Sequence, residues 1–223
     1  MRNLFFTLVI AIAFFASCNS NHAGEFNKID RYDISGYEEF IRKYPESNLV
    51  DDAKERIVVA KKEIRLQEER EREREIVRKY EYNSLQNGAQ PYSRWYGLNA
   101  YYDDYTAHSE IRVTAPNNSD VIVIVRYNNH NGSVAGHKYI KAGYSSTIYL
   151  ANGYNYQTFF YYGNGWNPEK VMKNGLRGGF VKDESYSKDG SSSYLENNIL
   201  TYELVVQQGG NFSTRRSDEG EIF

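Results

Sequence analysis

The fold of this chain is decided by a central stretch, Asp120-Val121-Ile122-Val123-Ile124-Val125-Arg126. Its uninterrupted β-branched aliphatic residues predict a β-strand, and we expect both faces of that strand to be covered because no polar residue breaks the run. Upstream, the stretch Glu110-Ile111-Arg112-Val113-Thr114 alternates polar and apolar residues, which predicts a half-buried strand. The middle of the chain is therefore predicted to form the interior of a β-structure.

Turn signals continue this pattern toward the C-terminal side. Asn131-Gly132 and Asn152-Gly153 are both typical of tight hairpin turns, and each lies between apolar runs. A late apolar run, Ile199 to Val206, predicts a further strand. Short strands with regularly spaced turns favour a compact antiparallel β-sandwich, which we place at residues 109–207.

One hairpin of this region also carries a family resemblance. The residues Ala142-Gly143-Tyr144-Ser145-Ser146-Thr147, leading to Leu150-Ala151-Asn152-Gly153-Tyr154, are similar to the penultimate hairpin of PEGA-like and transthyretin-like sandwiches. Such sandwiches are accessory modules of bacterial surface proteins. The resemblance implies a role in binding or spacing, and it implies no catalytic chemistry.

The preceding region has a helical pattern. Ser35 and Glu38 have the spacing of a capping box, which predicts a helix start, and Pro45 ends that helix. Ser47 or Asn48 can cap a second helix. Each helix carries one apolar stripe, formed by Tyr37, Phe40, Ile41 and Tyr44 in the first and by Leu49, Ala53, Ile57, Ala60 and Ile64 in the second. We therefore predict a helical hairpin and a charged helix at residues 35–80, so the fold class is α+β.

The hairpin resembles one tetratricopeptide unit of the kind found in outer-membrane assembly lipoproteins. The resemblance covers about residues 35–64 and includes the stretch Tyr37 to Ser47 with Ala53 and Ile57 beyond it. Arrays of such units need about three or more repeats to build a core and a concave binding surface, and this chain has one copy. A hairpin that packs on a neighbouring element is thus favoured over one that displays a peptide groove.

A run of alternating charge continues the second helix. The residues Glu68-Glu69-Arg70-Glu71-Arg72-Glu73-Arg74-Glu75 carry no apolar stripe, so we expect a solvated helical strut of roughly 50 Å up to Tyr80, at 1.5 Å per residue. The alternative is a coiled-coil partner. The gap between Leu66 and Ile76 breaks a heptad seam and argues against that alternative.

The N-terminal residues have the pattern of an export signal. Met1-Arg2-Asn3 gives a short positive start, and Leu4 to Ala16 is a nearly unbroken apolar run. The residues Phe15-Ala16-Ser17-Cys18 resemble the lipobox of bacterial lipoproteins. In that family the leader is cleaved before the cysteine and the thiol carries diacylglycerol. The alternative is an ordinary secretory signal with a chance cysteine.

The lipobox resemblance implies a signal peptide at residues 1–17, a lipid anchor at Cys18 and a tether at residues 18–34. Several acyl chains give an anchor that does not readily dissociate from the membrane. Asn19, where an aspartate would favour retention in the inner membrane, favours delivery to the outer membrane. Residues 19–24 contain no acidic side chain, which favours a periplasm-facing orientation over the cell surface.

Composition limits the other partners and the source of stability. A formal net charge of -2 gives no general attraction to nucleic acid, so we expect none to bind. With one cysteine in the chain, a disulfide within it is excluded and folding must depend on packed apolar surface. Between the helices and the sandwich we place a Tyr-rich junction at residues 81–108, and after the sandwich a flexible tail at residues 208–223.

Catalytic and metal-binding patterns are scarce. His108, His130 and His137 have no metal-ligand spacing, so we interpret them as surface or turn histidines. The pairs Asp103-Asp104 and Asp183-Glu184 lack the spaced ligands of a calcium loop and are interpreted as solvated turn carboxylates. We predict no enzyme activity, no catalytic residue, no metal and no cofactor.

Aromatic density is the feature that best fits a binding surface. The chain has 21 Tyr and 11 Phe, and alternation predicts that Phe159 and Tyr161 face one side of a strand while Phe160 and Tyr162 face the other. One aromatic pair then needs a cover, which is the domain's own helix or tail, or else a partner. Candidate partner or glycan contacts are Trp166, Tyr161, Tyr162, Tyr96 and Tyr102. The alternative is that these rings fill the core.

Two functions remain open from the sequence. The first is a non-enzymatic envelope lipoprotein that binds or holds another envelope protein. The second is a lipoprotein that stacks aromatic rings on the sugars of peptidoglycan or a polysaccharide. Buried or scattered tyrosines favour the first, whereas one exposed concave aromatic groove favours the second.

Overall fold

The structure, a computed structural model, describes residues 22–98, 109–129, 132–204 and 214–223. It confirms the α+β class, and the chain divides into two compact units, Met1–Arg74 and Glu75–Phe223. The second unit begins before the predicted boundary because the end of the long helix belongs to it: the Tyr80 hydroxyl donates to the Glu169 carboxylate at 3.0 Å. The described helices are α1 (Ile34–Lys43), α2 (Val50–Tyr80), α3 (Ser93–Tyr96) and α4 (Glu219–Ile222).

The predicted helix pair is present in the first unit, but the first helix starts earlier than its sequence pattern indicated. Asp33, not Ser35, is the N-cap, and its carboxylate accepts from the Gly36 N–H at 2.8 Å. The positive end of the helix dipole also stabilises a carboxylate at this position. In α2 the predicted apolar stripe faces inward, with Ala53 and Ala60 buried.

The predicted tether at residues 18–34 is wrong over its described part. Residues 22–26 are helical, and Phe26 is buried among the first unit's core residues. Its ring lies 5.7 Å from that of Tyr37 and 5.2 Å from that of Phe40, centroid to centroid. Because the residues next to Phe26 in the sequence are polar, no apolar pattern predicts that it is buried. Residues 1–21, with the predicted signal peptide and Cys18, lie outside the described residues.

The β-strands of the second unit form two sheets. The three-stranded sheet has the order β4-β1-β8, and the six-stranded sheet has the order β3-β2-β5-β6-β9, with β7 paired to β5. Pairing is antiparallel except between β1 and β8, which are parallel. The strands are β1 (Ser109–Thr114), β2 (Asp120–Tyr127), β3 (Val134–Ile140), β4 (Ser145–Leu150), β5 (Tyr154–Val171), β6 (Arg177–Asp189), β7 (Ser193–Leu195), β8 (Ile199–Glu203) and β9 (Thr214–Arg216).

Strand β2 has both faces covered, as its sequence predicts. Val121, Val123 and Val125 join the core between the two sheets, while Ile122 and Ile124 join a second core on the other side of the six-stranded sheet. We call that other side the outer face. The alternation predicted for four aromatic residues of β5 is also confirmed: Phe160 and Tyr162 face the sandwich core, and Phe159 and Tyr161 face the outer face. A register shift between Tyr162 and Asn164 reverses the order beyond them, so Trp166 also joins the outer-face core.

The two longest strands continue through stretches that are rich in glycine or polar residues. Strand β5 extends past its aromatic residues to Val171, with Gly165 at a positive φ of 72°. Strand β6 runs through the polar stretch after Lys182 to Asp189. Both strands belong to one long hairpin, whose cross-strand hydrogen bonds do not depend on apolar side chains.

The predicted flexible tail is likewise wrong over its described part, residues 214–223. Strand β9 pairs with the end of β6, and Ile222 in α4 is completely buried. The tail therefore supplies part of the cover that the outer face requires. Residues 205–213 lie outside the described residues.

Candidate functional site

The outer face of the six-stranded sheet is covered by three pieces of the second unit itself. One is the junction segment that follows α2, residues 81–98. Another is the far end of the β5–β6 hairpin, with Met172 and Leu176, and the third is the 214–223 segment. The cover predicted for the odd-numbered aromatic residues of β5 is therefore the domain's own chain.

The 81–98 segment is hydrogen-bonded along the edge strand β3. The Gly88 N–H donates to the Tyr139 carbonyl at 2.8 Å, and the Tyr139 N–H donates to the Ala89 carbonyl at 2.7 Å. The Trp166 N–H donates to the Asn83 carbonyl at 2.8 Å. The two bonds to Tyr139 pair backbone groups that an edge strand would otherwise leave without a partner. The Tyr-rich junction is thus built into the sandwich unit over residues 81–98, whereas its continuation, with Tyr102, lies outside the described residues.

His137 lies at the centre of this covered face, so its interpretation as a surface histidine is wrong. It pairs with Ile124 across β2 and β3 and is 1% exposed. Its Nε2 accepts from the Tyr92 N–H at 2.9 Å, and the two rings stack at 5.6 Å. Burial lowers the pKa of His137 to about 4, while the Gln90 backbone opposes that change. His137 is therefore neutral at pH 7, and its hydrogen bond with the Tyr92 N–H attaches the 81–98 segment to β3.

On the same face Tyr96 contacts His137, and Arg126 contacts Tyr96. The Tyr96 ring meets the His137 ring edge-on at 5.5 Å. Burial raises the pKa of Tyr96 to about 12, and the neighbouring Arg126 guanidinium opposes that rise. The Tyr96 hydroxyl contacts the Arg126 side chain, and His137 contacts the Gln90 backbone, so the polar groups of this buried region have partners within the second unit.

The 214–223 segment contacts this same group. Arg126 Nη2 donates to the Ile222 carbonyl at 2.8 Å and to the Phe223 carbonyl at 3.4 Å. The half-buried Phe223 ring lies 5.5 Å from that of Tyr92 and 5.4 Å from that of Tyr161, edge-on to both. We call Tyr92, Tyr96, Arg126, His137 and Tyr161, with the Ile222 and Phe223 that cover them, the outer-face cluster.

Two of the five predicted contact residues belong to the core. Tyr161 is 0% exposed and Trp166 is 3% exposed, so the prediction that they contact a partner or glycan directly is wrong for both. Tyr161 accepts from the Phe180 N–H at 2.8 Å and donates to Glu184, and burial raises its pKa. Tyr162 is half-buried, as is Tyr96. Sequence reasoning missed His137 and Arg126, although both alternate with outer-face residues along their strands.

In the part of the second unit that the structure describes, the exposed aromatic residues lie in different places. Trp95, 55% exposed, lies beside the turn at Gly175, where an added Cβ would be 3.8 Å from its ring. Tyr149 lies instead on the three-stranded sheet, with the Lys138 ammonium 5.9 Å from its ring centroid. The other exposed aromatic residues in the described second unit are Tyr82, Tyr144, Tyr154 and Tyr194.

The acidic pair Asp183-Glu184 does not lie in a turn as its interpretation proposed. Both residues are part of strand β6, and Glu184 pairs with Lys170 and accepts from Tyr161. Within the described residues no group of three or more His, Cys, Asp or Glu side chains is placed to hold a metal ion. Asp103-Asp104, His108 and His130 lie outside the described residues.

The helical unit has a separate surface cleft of about 470 Å³, lined by Arg31, Tyr37, Asp52, Glu55, Arg56 and Val59. The Arg56 guanidinium lies 4.4 Å from the Phe26 ring centroid and donates to the Tyr37 hydroxyl at 3.2 Å. The cleft has charges of both signs, so it can contact a polar surface of mixed charge.

Comparison with known proteins adds no relative: no protein-family model matches this chain, and no curated protein or solved structure matches it significantly. Among the described residues no helix is long and apolar enough to cross a membrane.

Proposed function

We propose that this protein is a non-enzymatic, lipid-anchored protein of the bacterial cell envelope that binds or holds other proteins. Its anchor is the lipidated Cys18 in the outer membrane, and its two units face the periplasm. The observation that carries the choice of a protein partner over a glycan is the burial of Tyr161 and Trp166 in the outer-face core. Rings that fill a core are not available to stack on sugars.

The anchor is supported by the sequence of residues 1–18 and is tested by metabolic labelling with an alkyne fatty acid. Cys18→Ser should abolish incorporation of the label and release the protein from membranes, because the hydroxyl does not form the thioether. Ser17→Ala is the matched control, since it keeps the cysteine and a small preceding residue, and it should retain the label. Equal labelling of native protein and Cys18→Ser would contradict the proposal.

Protein binding is tested by cross-linking in cells followed by affinity capture from detergent-solubilised envelopes, with proteins and glycans both measured. One protein captured in a fixed ratio to the bait, and absent from an unrelated lipoprotein bait, would support the proposal. Capture of many abundant envelope proteins, in ratios to the bait that vary between experiments, would contradict it.

Glycan binding remains the second candidate because Trp95 is exposed beside a glycine turn, a surface suited to stacking on a sugar ring. Trp95→Ala separates the two functions in the same capture experiment. The proposed function predicts an unchanged protein partner and no captured glycan. Glycan that is captured by the native protein and lost in Trp95→Ala would replace the proposal with sugar binding.

A further inference from the structure

The 214–223 segment is attached to the outer face in the manner of a bound peptide. Its residues 214–216 pair antiparallel with residues 187–189 at the edge of β6, and the Ser217 N–H donates to the Tyr186 carbonyl at 3.2 Å. Beyond this short ladder the chain turns inward, and Ile222 places its side chain in the outer-face core. Backbone pairing followed by an apolar anchor is the arrangement by which extended peptides add to a sheet edge.

The remaining contacts of the segment are exposed polar ones. Glu221 pairs with Lys188, and Glu219 accepts from the Lys173 N–H. Pairs of this kind at the surface contribute little to stability. The attachment therefore depends on the three-residue ladder, on Ile222 and Phe223, and on the Arg126 contacts.

The surface under the segment binds it mainly through backbone groups. Arg126 Nη2 donates to two backbone carbonyls of the segment, and the ladder with residues 187–189 is made by backbone N–H and carbonyl groups alone. Contacts of this kind do not depend on the side chains of the bound segment. A peptide of another sequence can therefore make the same contacts, provided that it supplies apolar side chains in place of Ile222 and Phe223.

We propose that the outer-face cluster and the adjoining edge of β6 form a peptide-binding groove. In this structure the 214–223 segment occupies it, and an extended peptide of a partner protein displaces the segment. The partner peptide pairs with residues 187–189 and inserts an aliphatic residue followed by an aromatic one. Its backbone carbonyls accept from Arg126. This inference rests on the proposed function and names the binding site for it.

Attachment in the same chain makes the segment a strong competitor. A tethered ligand has an effective concentration in about the millimolar range, so it suppresses the binding of weaker free peptides. The native protein should therefore bind a copy of its own segment poorly. A variant whose segment has lost its anchor should bind that copy well.

The test uses a fluorescent synthetic peptide with the sequence of residues 214–223 and measures its anisotropy with the native chain and with Ile222→Asp. A charged residue at the buried position should release the chain's own segment and strengthen peptide binding at least tenfold. Ile199→Asp, at an exposed apolar position on another strand, is the matched control and should bind as weakly as the native chain. Adding Arg126→Gln to Ile222→Asp should weaken the gained binding about tenfold.

A folded Ile222→Asp variant, shown by a native-like circular dichroism spectrum, that does not bind the peptide would overturn the groove. If the variant unfolds, the segment is a permanent part of the core, and the groove is again overturned. A dimer that forms through exchange of the segment between two copies would replace the partner peptide with a second copy of this chain.

Hydrogen exchange of the native chain provides a measurement that needs no variant. The Ser217 amide should exchange through a local opening, at least a hundredfold faster than the amides of Ile122 to Val125 in β2. Equal protection of the two sets would overturn displacement. Neither the peptide experiment nor the exchange experiment needs lipid or an envelope partner. If both succeed while labelling or capture fails, the proposed function is rejected and the groove is kept. If labelling and capture succeed while these two experiments fail, the groove is rejected and the proposed function is kept.

Discussion

The imidazole of His137 accepts a hydrogen bond from the backbone N–H of Tyr92 at 2.9 Å. This bond joins β3 to the 81–98 segment and needs an unprotonated Nε2. Burial disfavours the charged imidazolium and outweighs the opposing contact with the Gln90 backbone, which is why the pKa of His137 is lowered to about 4. The attachment of the segment is therefore linked to pH.

The first prediction concerns acid stability. Between pH 6.5, the ordinary pKa of histidine, and about pH 4 the unfolded chain binds a proton at residue 137 that the folded chain does not. The free energy of unfolding should therefore fall as pH decreases through this window, by roughly 3 kcal/mol, and the contribution should level off below pH 4. Urea denaturation at a series of pH values measures it.

The control for this prediction is His137→Gln, whose side-chain oxygen can still accept from the Tyr92 N–H but does not titrate. The native protein and the variant have the same carboxylates, which titrate in the same pH range. The difference between their slopes of unfolding free energy against pH therefore reports residue 137 alone. Parallel pH profiles for the two proteins would show that His137 does not control acid stability.

The second prediction separates the two tryptophans. Trp166→Ala should lower the free energy of unfolding by about 3 to 5 kcal/mol, because it removes a buried ring from the outer-face core. Trp95→Ala should change it by less than about 1 kcal/mol, since the ring is largely exposed. Thermal and urea denaturation measure both, and equal effects would contradict the assignment of Trp166 to the core.

The third prediction concerns Gly178, whose φ of 106° is a conformation that side chains rarely adopt. An added Cβ there would overlap the Trp166 ring. We expect Gly178→Ala to destabilise the protein by about 2 to 4 kcal/mol through backbone strain and displacement of that ring. Gly24→Ala is the control, because nothing lies within 4 Å of the added Cβ and the residue is helical; it should leave the stability unchanged or raise it by up to about 1 kcal/mol.

The fourth prediction tests where α1 begins. Asp33→Ala removes the side chain that accepts from the Gly36 N–H and should cost about 0.5 to 2 kcal/mol. Ser35→Ala should cost little, because the serine lies inside the helix and does not cap it. The reverse order of effects in denaturation experiments would support the capping box at Ser35 and reject Asp33 as the cap.

Local patterns predicted much of this fold because they depend on periodicity alone. The β-branched run of β2 requires two covered faces wherever it lies, and alternation divides Phe160 from Tyr161 whatever covers them. The apolar stripes of α1 and α2 likewise predict a pair that packs together. Helix caps are less certain from sequence, since Asp33 and Ser35 are both good caps and the packing of Phe26 on Tyr37 and Phe40 fixes how the chain enters α1.

The α+β order, the two-sided burial of β2 and the need for a cover on the outer face follow from sequence patterns alone. The packed structure shows in addition that this cover includes the chain's own 81–98 and 214–223 segments, that Trp166 is core and Trp95 is exposed, and that His137 binds the Tyr92 N–H. The two kinds of feature depend on residues at different separations along the chain. Periodicity is set by neighbours a few residues apart, whereas burial of a given ring depends on segments far away in the chain that pack against it.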